Sequence, residues 1–302
     1  MGEFESNLYK SKLISAERAA ELVKSGDVVH YSEFVLFPET LDAALARRIG
    51  DLHDVTIRST CFMRVPEVIK ADPAREHFIM EDYHFGTFSR RLHDRNMCNY
   101  IPITYHLGPR MLKKYVDVDV YFLSAGAMDS RGYFNFGLSN SVSSAVISKA
   151  KKIVVEVNDK IPYCLGGNQE SLHISRVDHI VESEGKPLME IPPAMPTEID
   201  RKISQHVLSE IEDGCCLQLG IGGLPNVVGA MIAVLEIILW LVVTSTVLAN
   251  FQTDPLKVLV YALAFGAGNY LGSWLDEKLA FGLSSIQVVV QDMESAQCLS
   301  TA

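Results

Sequence analysis

The chain has 302 residues, enough for two domains of ordinary size. Hydrophobic residues make up 48% and charged residues 21%, a globular composition at the apolar end of normal. The net charge of -10, without a Lys/Arg-rich stripe or interleaved aromatic and basic residues, excludes a nucleic-acid partner.

Met1 to Arg18 is polar and mixed in charge, which reads as no signal peptide. Ser15 then caps a helix reaching toward Lys24, with Ala16, Ala19, Ala20 and Val23 on one stripe and Gly26 as its stop. Asp27 to Tyr31 follows as a strand. Pro38 precedes a second helix, in which Leu41, Ala44, Leu45 and Ile49 recur at helical spacing before Gly50. Val55 to Cys61 is the next strand. The β-branched runs "DVDVYFLSAGAMD", "KKIVVEVND" and "HIVE" are further strands, and Ser141 to Lys151 is a helix between the first two. Asn140 or Ser141 is its expected N-cap. This alternation predicts an α/β domain with a mainly parallel sheet. No period of 20–50 residues repeats, which argues against a solenoid.

"EIPPAMPTEID" reads as a linker. Thr197 caps a new helix through Glu210, with Ile199, Ile203, His206, Val207 and Ile211 near one face. Cys215 to Leu219 reads as a strand, followed by Gly220-Ile221-Gly222-Gly223 and a helical pattern. A second α/β domain starts here.

From Met231 the composition changes. The chain carries 25 basic and 31 acidic residues before residue 234, and 2 and 6 after Ala233. Ile232 to Ala249 is a nearly continuous apolar run, about 27 Å long as a helix against a hydrocarbon core of roughly 30 Å. Leu256 to Leu275 is a second run, with Gly268 and Gly272 at the spacing that allows close helix approach. Neither run has a polar face of period 3.6. A membrane hairpin over 232–275 is the expectation, with a buried pair of helices as the alternative. Glu236 is the lone acid of the first span, costly in lipid. "SSIQVVVQD" returns to strand character, and the last ten residues read as a short helix.

The chemistry available is selective by omission. Cys61, Cys98, Cys164, Cys215, Cys216 and Cys298 form no C-x-x-C pair, so they read as ordinary thiols in a reducing cytosol, with no metal site. His84, His93, His106 and His173 have no ligand spacing and read as structural or surface residues. No G-x-S-x-G elbow, Walker loop or G-x-G-x-x-G is present. What remains is glycine-rich turns. Gly220 to Gly223 points backbone N–H groups at whatever occupies the turn, which suits an anion or a developing oxyanion, with Pro225 at the helix start. Packing in a tight turn is the alternative for it. Asp129 to Ser141 and Cys164 to Glu182 are further Gly/Asn/Ser clusters, which capped turns also explain.

The order of the segments is more specific than any one of them. "SAERAAELVKSGDVVHY", "VPEVIKADP", "FSRRLHD", "YIPITYH", "MDSRGYFNFGLSNS", "KAKKIVVEVND", "PYCLGGNQESLHISRVDHIVE", "PPAMPTEIDRKI" and "CLQLGIGGLPNVVGAM" follow one another over about residues 9–232. Together they resemble the acetyl-CoA hydrolase/transferase family, particularly its butyryl-CoA:acetate and 4-hydroxybutyrate CoA-transferases. The resemblance implies CoA exchange between an acyl-CoA and a short-chain carboxylate through a glutamate nucleophile, by way of an acyl-glutamyl anhydride and a glutamyl-CoA thioester. It implies the CoA thioester as substrate, no tightly bound cofactor, self-association into a homo-oligomer, and an oxyanion and acyl-CoA-binding loop at Gly220, Ile221, Gly222 and Gly223. In that family the nucleophile lies in a His-Thr-Glu-Met motif about twenty residues beyond the glycine loop. Here Leu239 to Asn250 reads "LWLVVTSTVLAN", without a carboxylate, and the neighbours of Glu236 do not match. The catalytic residue is therefore unassigned, and the chain is expected to be inactive.

Residues of about 233–292 resemble an uncharacterised family of small bacterial multi-pass membrane proteins. The expected organisation is a CoA-transferase N-terminal domain at 1–191, a truncated second domain at 192–232, and a hairpin with a short αβ tail at 233–302. Residues 1–231 are expected in the cytoplasm, with the tail at a membrane. The alternatives are a non-catalytic membrane-anchored protein and a chimeric fusion of two incomplete genes.

Overall fold

The computed structural model describes residues 3–248 except 168, 191–194, 213, 214 and 221, together with 263, 266, 267 and 270. Met1–Glu190 and Ile191–Ala302 form two compact units.

The first unit holds strands β1 (Val28–Tyr31), β2 (Val55–Ser59), β3 (Phe78–Asp82), β4 (Asn99–Tyr100), β5 (Val118–Ala125), β6 (Tyr133–Asn135), β7 (Ala150–Val157), β8 (Ser171–His173) and β9 (His179–Glu182). Between them lie α1 (Glu3–Lys12), α2 (Ala16–Ala20), α3 (Glu39–Ala46), α4 (Glu67–Ala71), α5 (Thr87–His93), α6 (Gly108–Tyr115) and α7 (Ser143–Lys149). Seven strands form one sheet in the order β4-β3-β2-β1-β5-β7-β9, every pair parallel. β6 and β8 pair antiparallel as a separate ribbon. The α/β architecture with a parallel sheet is the one the alternation predicts.

Both faces of the sheet are covered, so its central strands are apolar on both sides. Val29, Tyr31, Ile57, Phe122 and Val154 belong to one core with Leu41, Leu45 and Val68 of α3 and α4. Tyr121, Leu123 and Val155 face the other core with Leu112 of α6 and Val146 of α7. The order runs outward from β1 to β4 on one side and from β5 to β9 on the other. The reversal lies between β1 and β5, and a crevice at the carboxyl ends of such strands is where open α/β sheets bind ligands.

Local signals hold where the partner is local. Ser15 accepts from Arg18 N at the start of α2, but the helix ends at Ala20, with Glu21 as its C-cap, short of the expected Lys24, so Gly26, with φ +82°, lies beyond its end and does not stop it. The N-cap of α7 is Val142, without a side-chain cap, rather than Asn140 or Ser141. Both of those side chains have longer-range partners: Asn140 Nδ2 donates to Gln169 O at 2.9 Å, and the Tyr105 hydroxyl donates to Ser141 Oγ.

In the second unit, α8 (Glu198–Ser209) opens on a capping box between Thr197 and Asp200. Its Ile199, Ile203 and Val207 are exposed. The strand expected at Cys215–Leu219 does not form; residues 215–220 carry no regular structure. A strand is held by a neighbour's hydrogen bonds, and the described residues of this unit supply none. α9 (Gly223–Leu248) then runs without interruption through the composition change at 232–234. Among the described residues no helix is long and apolar enough to cross a membrane, so the hairpin expected over 232–275 is not found there. Most of its second span, the strand at "SSIQVVVQD" and the final helix lie outside the described residues.

Candidate functional site

The carboxyl ends of β1, β2 and β3 carry the features that mark a site. Phe34, just past β1, has φ +53°, and Cys61, just past β2, has φ +60°. A bulky residue there is strained, and such strain persists where surrounding contacts impose it. Here the Phe34 N–H donates to Thr60 O at 3.2 Å, tying the two turns together. Ser32 Oγ accepts from Ser124 N at 2.8 Å and so joins β1 to β5 at the reversal.

Three buried carboxylates fasten the surrounding loops. Glu156 in β7 accepts from Thr40 N and Leu41 N, at 3.2 and 2.9 Å, in the first turn of α3. Asp42 in α3 accepts from Glu67 N at 2.6 Å at the start of α4, and from the Tyr31 hydroxyl at 3.0 Å. Both helices begin after a proline without a side-chain cap of their own, so a distant carboxylate supplies it. Asp82, ending β3, accepts from Cys61 N and His84 N at 2.8 and 3.0 Å, and from Ser89. Burial pushes Asp42 and Glu156 up to about 7 against the hydrogen bonds that favour their ionised forms.

Glu33 differs from these three. It is fully buried, accepts from Ser143 Oγ at 3.1 Å through Oε2, and has no partner for Oε1. Burial raises its carboxyl to about 7. On the same side of the sheet, Glu81, Arg58, His30 and Tyr121 stand in one cross-strand row. Arg58 pairs with Glu81. Burial, with Arg58 nearby, pushes the imidazole of His30 down to about 3, so the ring is neutral. Its Nδ1 lies 2.8 Å from Tyr31 O and therefore carries the proton, leaving Nε2 as an acceptor. Nε2 has no partner, while the hydroxyl of Tyr83 interacts with Arg58 and that of Tyr121 with Ser143. The His30 ring centroid lies 6.3 Å from that of Tyr83 and 5.7 Å from that of Tyr121. Unpartnered buried polar atoms are rare in folded proteins, and here His30 Nε2 and Glu33 Oε1 are two of them.

A cavity of about 110 Å³ opens beside them, lined by residues including Thr60, Tyr83, His84, Tyr105, Leu112 and Val142. His84 thus borders a cavity, while His93 is bonded to Cys98 O and His173 to Ser175. His106 lies in a short 3-10 turn. Cys61, Cys98, Cys164, Cys215 and Cys216 are unpaired, and no metal-ligating cluster is found among the described residues.

Of the glycine loop, Gly220 has open space around the position of a Cβ, Gly222 has φ +152°, and Gly223 begins α9. Ile221 and the side chain of Glu236 lie outside what the structure describes. Gly222 O accepts from Asn226 N at 3.2 Å, so the loop runs directly into the helix, and Pro225 falls in the first turn, where a missing N–H costs nothing.

Residues 3–192 match the acetyl-CoA hydrolase/transferase N-terminal domain. The chain belongs to that family. It is 42% identical over 226 residues to a probable butyrate:acetyl-CoA coenzyme A-transferase of Syntrophomonas wolfei, covering 74% of this chain and 50% of that protein. The chain spans about half the length of the curated relatives it matches. Among solved structures, RipA from Yersinia pestis superposes with a TM-score of 0.68 at 29% identity, covering 75% of this chain and 55% of that one. Residues 225–273 match a different family, the domain of unknown function DUF5698. That segment is 44% identical over 66 residues to a UPF0316 protein of Clostridium botulinum, covering 22% of this chain and 39% of that protein.

The family was legible in the sequence. His30, Glu33, Tyr83 and Tyr121 were not singled out there. The available signal for His30 and Glu33 was "HYSEF", four polar or ionisable residues at the end of a run that otherwise reads as a buried strand.

Proposed function

We propose that this chain carries the acyl-CoA-binding half of an acyl-CoA:carboxylate CoA-transferase, of the butyryl-CoA or 4-hydroxybutyryl-CoA with acetate type, and does not turn over. The observation that carries this reading is the family membership of residues 3–192 together with the change of family from residue 225. Gly220 to Gly223 would supply backbone N–H groups to the thioester oxyanion, each such donor being worth about 3 kcal/mol in the transition state. A carboxylate nucleophile at the family's position is missing from "LWLVVTSTVLAN", so those donors have no attack to assist. The test is equilibrium binding of butyryl-CoA to the full chain. Micromolar binding supports the reading; no binding of any CoA species overturns it.

A second reading concerns the origin of the tail, and the match of residues 225–273 to a separate family favours it. In this reading the chain is a fusion of two incomplete genes, joined near residues 228–238. Sequencing the coding DNA across those codons from its source decides it: an uninterrupted frame supports the fusion, and a frame that continues into the CoA-transferase motif refutes it.

A further inference from the structure

We propose that residues 184–188 form a strap that closes the crevice at the β1–β5 reversal and opens locally to uncover it, turning at Gly185 and held shut by Lys186. The strap follows β9 and carries no regular structure. Its approach continues the sheet, with Ser183 N donating to Val157 O at 2.9 Å. A small cavity marks where it crosses the carboxyl ends of the strands. Thr40, Ser124 and Glu156 line that cavity from the sheet side, and Glu184, Lys186 and Leu188 from the strap. Its free volume is about 10 Å³, room for about one water. The place where open α/β sheets take ligands is thus covered by the chain itself.

The fastenings are few and lie near the surface. Asn158 Nδ2 donates to Lys186 O at 2.8 Å. Lys186 Nζ lies 3.8 Å from Glu39 Oε2 and 3.9 Å from Glu184 Oε2, with its side chain 57% exposed. Exposed pairs of this kind contribute little and are screened by salt. Glu39 also pairs with Arg64 at 2.6 Å, so it keeps a partner when the strap leaves. Gly185 has φ +66°, which side chains rarely adopt, and a Cβ there would lie 2.5 Å from Asp159 Oδ1. A segment tied by exposed bonds and no ladder opens at less than the cost of global unfolding.

The test places a thiol beneath the strap. Ser124 is 3% exposed, and Ser124→Cys changes one atom. Maleimide labelling of the full chain with peptide mass mapping reads position 124 against the buried Cys61 and Cys98. Labelling at 124 is expected to rise about threefold when Lys186→Ala is added and about tenfold when Gly185→Ala is added, with Cys61 and Cys98 unchanged. Raising salt to about 1 M is expected to speed labelling at 124 with Lys186 present and to have little effect in Lys186→Ala. A rate at 124 that neither variant changes, or that only follows the rates of Cys61 and Cys98, overturns the strap. If Ser124→Cys does not fold, hydrogen exchange on Gly185→Ala alone decides. The amides of Thr40 and Leu41 are then expected to exchange faster together with residues 184–188, and parent rates at Thr40 and Leu41 overturn the proposal.

Discussion

Ser143, at the start of α7, donates to Glu33 across 110 positions of sequence and satisfies one carboxylate oxygen while the other stays unpartnered. Burial raises Glu33 to about 7, above its unfolded value, so the native state holds a proton that the unfolded chain releases. The stability Glu33 contributes is fully present below the unfolded pKa of about 4.3 and is lost as pH rises through about 7. Glu33→Gln keeps the shape without the ionisation. Urea titrations at pH 5 to 8 are expected to show a shallower loss of stability in Glu33→Gln than in the parent; parallel curves would show that Glu33 does not titrate in this range.

Asp42 connects Tyr31 in β1 to the first turn of α4. Asp42→Ala removes the cap and leaves a buried hydroxyl and backbone N–H groups unpaired, a loss of roughly 2–4 kcal/mol. Tyr31→Phe removes a single bond and is expected to cost about 1 kcal/mol. Denaturant midpoints compared at constant slope measure both, and equal losses would contradict the capping role.

Thiol reactivity separates the cysteines by their surroundings. Burial pushes Cys61 up to about 11 and Cys98 up to about 12, so both stay protonated and shielded at pH 8. Cys215 and Cys216 are exposed. Maleimide labelling followed by peptide mass mapping is expected to modify Cys215 and Cys216 well before Cys61 and Cys98. Early modification of Cys61 would mean that the turn after β2 opens readily.

Gly222 tests the loop into α9. Its φ of +152° is one that side chains rarely adopt, so Gly222→Ala is expected to distort the loop and weaken butyryl-CoA binding, with the unfolding temperature of the first unit unchanged. Unaltered binding would remove the loop from the site.

How much of this could be read in the sequence depended on the distance to each partner. The Ser15 cap, the Thr197 cap and the "HIVE" strand rest on neighbouring residues or on β-branched pattern, and each was visible. The roles of Asp42 and Glu156 were not, because each caps a helix elsewhere in the chain. Glu33 looked like an ordinary polar residue at a strand end, since its burial depends on α7, more than a hundred residues later. Cys215 to Leu219 failed for the opposite reason: its apolar pattern suits a strand, but the described residues give it no neighbour to pair with.

The most direct test of the central claim is a thioester-exchange assay on the purified full chain with butyryl-CoA and acetate, following acetyl-CoA. The account expects butyryl-CoA to bind and no acetyl-CoA to form above the uncatalysed background. Sustained acetyl-CoA formation, proportional to protein concentration, would contradict it and would show that the chain contains a nucleophile after all.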